Sequence, residues 1–156
     1  MNNYQISWEA ISAISSVVQT IILLISAFAV VGQLRQIRQQ SIESRITGLD
    51  TALKLLDNSE DFTKASYAAM HNGKVLGVST WSSIFEVIDR VTVLIYEKYT
   101  DPDLLLKLKG HELAAIGKYL FSTQLPDEIS QLLKSAKYKA VRELLDKSIK
   151  FVEGIK

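Results

Sequence analysis

The sequence predicts an all-α protein: one N-terminal transmembrane helix continuing into a stalk helix, followed by a small cytosolic helical bundle. Three observations lead there. No charged residue occurs between Ala10 and Leu34. Apolar residues then recur at helical spacing, and later segments open on proline or hydroxyl residues followed by acids. The 156 residues allow a short anchor plus one small domain, and a formal net charge of +1 gives no support to wholesale polyanion binding. The absence of cysteine removes disulfides, thiolate metal sites and a cysteine nucleophile. The expected division is 1–9 as an extracytoplasmic N-terminus, 10–32 as the transmembrane helix, 33–58 as the stalk and 59–156 as the cytosolic bundle.

At about 1.5 Å per residue, the uncharged stretch is long enough for a hydrocarbon core of roughly 30 Å. No Lys or Arg precedes Arg35, so the basic segment that opens a secretory signal peptide is missing and retention of the span is expected. Arg35, Arg38 and Arg45 follow the span closely, and by the positive-inside rule they predict a cytoplasmic C-terminal part and an outside N-terminus. Tyr4 and Trp8 fall at the outer flank, where amphipathic rings favour the headgroup layer. The competing reading of this segment is a buried helix of a soluble protein.

The span is unusually polar. Ser12, Ser16, Gln19, Leu23 and Ser26 are separated by four, three, four and three residues, which places them along one stripe, and Gln33 continues it at the inner boundary. Val17, Ile21, Leu24 and Phe28 occupy the opposite, lipid-compatible face. An amide or hydroxyl turned toward lipid is unsatisfied, so the stripe is expected to face another helix or water. With one span in the chain, the partner helix belongs to another copy or another protein. Two readings of the stripe stand: packing glue between helices, or the lining of a pore. A serine can also bond its own helix's carbonyl four residues back, which weakens both at any single position.

No proline interrupts the sequence from Gln33 to Asn58, and Ile42, Ile46, Leu49, Leu53 and Leu56 form an apolar seam. The seam lies away from the polar stripe and is expected to pack on the chain's own helices rather than on a neighbouring copy. Gly32 and Gly48 are points where this helix can bend. Ser59 with Glu60 and Asp61 starts the next helix, which stops at Asn72-Gly73. "KVLGVS" is a connector, after which Thr80 caps a helix burying Trp81, Ile84, Phe85, Ile88, Thr92, Ile95 and Tyr99. Asp101-Pro102 opens a further helix, and Pro126 with Asp127 and Glu128 opens a single C-terminal helix reaching about Val152.

The span running into "LRQIRQQSIESRITGLDTALKLLDNSEDF", followed by an aromatic-led helix and "DPDLLLKLKGHELAAIGKYL", resembles an uncharacterised bacterial family of single-span membrane proteins with a helical cytosolic tail. The resemblance covers roughly residues 10–120 and brings no catalytic constellation. In layout the chain is also similar to the small membrane pore accessory protein of RNA-targeting CRISPR systems. That likeness implies a bacterial inner-membrane location and a pore or membrane-perturbing role in antiphage defence.

Catalytic signatures are missing. The Arg-x4-6-His arrangement of helical defence ribonucleases does not occur: Arg90 is the nearest arginine before His111, and Arg45 before His71. "HELAA" from His111 begins like a zinc-protease motif, but Ala115 stands where the second histidine is required. His111 therefore reads as a surface or packing residue, and His71 as a cap in a last helical turn. Glu86 and Arg90 read as an ordinary i,i+4 pair beside Asp89. No metal site, cofactor or enzymatic activity is expected.

The C-terminal helix holds Lys134, Lys137, Lys139, Arg142, Lys147 and Lys150 against Glu143 and Asp146, a local net charge of +4. Lys134, Lys137, Lys139 and Arg142 are candidates for binding a nucleotide messenger, RNA or anionic lipid. The competing reading is the solvated face of an amphipathic helix. The functional expectation is an oligomeric bacterial inner-membrane protein whose cytosolic helices control a membrane assembly, with lipid and its own copies as partners. The alternatives are a passive anchor recruiting a cytosolic protein or nucleic-acid-linked partner, and a ligand-gated effector.

Overall fold

In a computed structural model, residues 7–71, 76–122 and 125–154 are described, and every regular element among them is helical. In chain order these are α1 (Trp8–Asp57), α2 (Glu60–Met70), α3 (Val78–Tyr96), α4 (Pro102–Ser122), α5 (Asp127–Lys134), a 3₁₀ turn (Ala136–Tyr138) and α6 (Lys139–Glu153). The chain divides into two units, residues 1–43 and 44–156.

The first unit is the apolar part of α1. Its most apolar eighteen-residue window has a mean hydropathy of 2.3, none of it is buried, and it is long and apolar enough to cross a membrane. Such a surface suits a protein only where lipid or other helices cover it.

The second unit is the helical bundle, and the last turns of α1 belong to its core. Ala52 and Leu56 are fully buried there, with Leu49, Leu53 and Leu55 packed against them. The expected seam is therefore correct only from Leu49 onward: Ile42 and Ile46 stay exposed, because the buried line runs through Gly48, Ala52 and Leu56 at steps of four. Gly48 is a contact point, since a Cβ there would clash with the Tyr99 carbonyl. The helix is continuous through both Gly32 and Gly48.

Ser59 caps α2, its hydroxyl accepting from the Phe62 amide at 3.1 Å. The helix ends at Met70, and His71 closes it: Nδ1–H donates to the Tyr67 carbonyl at 3.0 Å while the ring stacks on Tyr67. Asn72, Gly73 and the first two residues of the expected connector, Lys74 and Val75, lie outside the described residues. The next helix starts three residues earlier than expected, with Gly77 at its N-cap and Thr80 inside its first turn. Along α3 the buried face is Trp81, Ile84, Phe85, Ile88, Val91 and Thr92. Tyr99 falls beyond the helix end and is half exposed, Ile95 is only partly buried, and Val91, which the sequence pattern leaves out, joins the buried face.

The α3–α4 turn is tight. Lys98 adopts the left-handed region at φ 61°, and the amides of Tyr99 and Thr100 both donate to the Leu94 carbonyl. Asp101 then caps α4, its carboxylate accepting from the amide of Asp103 at 2.9 Å. The single C-terminal helix expected from Pro126 is instead broken at Ser135, whose ψ of 151° is extended. The break turns Tyr138 into the core against Phe85, with ring centroids 5.4 Å apart, and Trp81 stacks on Tyr119 at 5.8 Å. Burying one such large side chain contributes roughly 1.5–3 kcal/mol, enough to outweigh the interrupted helix ladder.

Candidate functional site

The candidate assembly face lies on the first unit. Ser12, Ser16, Gln19, Leu23 and Ser26 are all exposed on continuous helix, as are Val17, Ile21, Leu24 and Phe28 opposite them. Of the stripe's polar side chains, Ser26 differs from the others, Ser12, Ser16, Gln19 and Gln33, which have no side-chain hydrogen bond among the described residues. Ser26 donates to the Ile22 carbonyl at 2.8 Å and neighbouring Thr20 to the Ser16 carbonyl at 2.9 Å, so their donor demand is met within the helix. The Gln19 side chain has no hydrogen bond among the described residues. Its amide has two donors and an acceptor near the middle of the apolar stretch, and a glutamine cannot meet them from its own helix. Gln33 is likewise exposed at the inner boundary.

The same four-three spacing includes three further positions absent from the stripe as first read: Val30, Ile37 and Gln40. The apolar side chains of Val30 and Ile37 hide them from a search for polar residues. The signal that finds them is the repeat itself. Arg35 and Arg38 are exposed and lie roughly 130–180° round the helix from the local stripe, at 100° per residue. Arg45, also exposed, belongs to the second unit. At the outer end Trp8 is 84% exposed, and Tyr4 lies outside the described residues.

The basic residues of the C-terminal region do not gather into one cluster. Lys137 reaches Glu86 at 3.6 Å and lies over the Tyr138 ring, and these neighbours, Tyr138 first, hold its ammonium protonated above the ordinary lysine range. Lys139 pairs with Glu143, Lys147 with Asp103 and Lys150 with Asp146. Glu86 is thus joined to Lys137, in place of the expected pair with Arg90. Arg142 closes the end of α5: its guanidinium donates to the carbonyl of Leu133 and, at 2.9 Å, to that of Ser135. Lys134 and Arg142 do line one pocket of about 630 Å³ together with Asp127 and Ser130. His111 is exposed, with Ala115 one turn on.

A groove of about 390 Å³ between α3 and α6 has no forerunner in the sequence reading. Its walls include Val93, Tyr96 and Leu144, and Asp89, Glu97 and Glu143 stand around it. Tyr96 is 86% exposed. Its sequence signal is faint: Val93 and Tyr96 are large residues on the flank of α3 that the core does not use.

Comparison with protein-family models, with curated proteins and with solved structures finds no match for this chain.

Proposed function

We propose that this chain is a single-span membrane protein, N-terminus outside and bundle in the bacterial cytoplasm, that assembles with its own copies along the polar stripe and perturbs the membrane as an effector or accessory, without enzymatic activity. The observation that carries the reading is Gln19. Leaving an amide unsatisfied in hydrocarbon costs several kcal/mol, and only another helix or a water column relieves that cost. Ser12, Ser16 and Ser26 are small enough to let backbones approach on the same side. The antiphage role is what the layout resemblance implies. In this reading the helical bundle controls assembly through α1, whose last turns contribute Ala52 and Leu56 to the bundle core.

A second reading, an anchor that recruits a cytosolic protein, is favoured by one observation: the apolar-walled, acid-rimmed groove beside Tyr96. The two readings diverge in oligomer size. Native mass spectrometry or particle imaging of the full-length protein in detergent is expected to show a ring of several copies around a central gap. A monomer or simple dimer would defeat the pore reading and turn attention to the groove.

A further inference from the structure

The four-three repeat does not stop where the hydrocarbon does. Ser12, Ser16, Gln19, Leu23, Ser26, Val30, Gln33, Ile37 and Gln40 form nine consecutive positions on one uninterrupted helix, all within the first unit and all exposed. Not one of the nine is charged, although Arg35 and Arg38 stand among the last three in sequence. We propose that copies of this chain stay in parallel contact past the inner membrane boundary, with Gln33, Ile37 and Gln40 forming a neutral collar around the assembly axis at its cytoplasmic mouth. This proposal rests on the self-association reading and extends it to a segment that lipid does not cover.

The occupant is a second copy for reasons of symmetry and charge. In a closed ring of like-oriented single-span chains, a residue facing the axis meets its own equivalents. A charge there would repel itself at close range, whereas a glutamine amide, both donor and acceptor, can bond its own copy. Placement of Arg35 and Arg38 on the far side fits that requirement, and it leaves both cations free for the headgroup layer. A strict seven-residue repeat drifts about 20° per heptad on a straight helix, so keeping the seam in register winds the helices into a left-handed supercoil.

The lack of native cysteine makes the test direct. Single-cysteine variants Leu23→Cys, Ile37→Cys and Gln40→Cys, with Leu24→Cys and Arg38→Cys on the other side, are oxidised in native membranes holding the full-length protein. The expected result is a band of doubled mass for the first three and its loss for the last two. Cross-linking at Leu23 that is absent at Ile37 and Gln40 would overturn the collar while leaving self-association in the membrane intact. Equal cross-linking all round the helix, or none at Leu23, would defeat both. A charge test guards against misfolded variants: Gln40→Lys is expected to shift the purified assembly to smaller species, while Gln39→Lys, which stands off the stripe, leaves it unchanged. Equal effects of the two lysines would also overturn the collar.

Discussion

At Gly48 the residue-scale forces oppose one another. Alanine is the better helix former by about 1 kcal/mol, so in an isolated helix Gly48→Ala would stabilise. Here the new Cβ would meet the backbone of Tyr99, which cannot swing aside as a flexible side chain can. Overpacking of that kind costs roughly 1–3 kcal/mol, so the expected net effect is destabilisation of the bundle, read as a lowered thermal midpoint of the full-length protein in detergent. Lys98 presents the reverse case. It occupies a left-handed backbone conformation that costs a side-chain-bearing residue about 1–2 kcal/mol, and it is exposed. Lys98→Gly is expected to raise the midpoint, by less than the full cost because glycine also loosens the unfolded chain. A lowered midpoint would show that the lysine side chain holds the turn.

Among the elements, legibility followed the physics that each one depends on. The Ser59 and Asp101 starts were readable because a cap is a local bond between neighbours in sequence. The face of α3 was readable as far as periodicity carries it, and failed at Tyr99, where the turn at Lys98 ends the helix first. The break at Ser135 was not readable, because it is driven by the distant contact of Tyr138 with Phe85, and Leu132 to Ala140 carries no proline or glycine to mark it. In the candidate stripe the polar members as far as Gln33 were plain, while Val30, Ile37 and Gln40 emerge only when the repeat is followed along an uninterrupted helix. Long-range ion pairs were equally hidden. Lys109 joins α4 to the end of α1, reaching Asp57 at 2.6 Å, and pairs locally with Glu112, three residues on, at 3.0 Å. Burial pushes its ammonium down, but the hydrogen bonds to Asp57 and Glu112 outweigh that and hold its pKa above the ordinary 10.5. A raised folded value means this contribution is fully present below the unfolded lysine value and is lost as pH rises through the folded one. Stability of the bundle is therefore expected to fall in alkali above about pH 10.5. Lys109→Met is expected to lower stability at neutral pH by about 1–2 kcal/mol, less than a buried pair because Asp57 is largely exposed, and to flatten the alkaline decline. An unchanged alkaline slope would assign the decline to other groups.

For the whole molecule, the decisive quantity is what surrounds Gln19 once the span is in lipid. A packed bundle and a water-filled ring both satisfy the amide, yet they respond differently when it is removed. Within a packed bundle, Gln19→Leu deletes hydrogen bonds between helices, each worth about 0.6–2 kcal/mol in membranes and multiplied by the number of copies, so the assembly weakens. Leucine in a ring instead lines the narrow axis with hydrocarbon, which gates a pore by dewetting while the contacts made by Ser12, Ser16 and Ser26 remain. The proposed pore thus predicts loss of conductance in planar bilayers with oligomer size retained. Loss of the oligomer itself would make Gln19 an interhelical bond and the stripe a packing seam. A variant unchanged in both respects would remove Gln19 from either account and leave the small residues alone to explain why a span carries so much polarity.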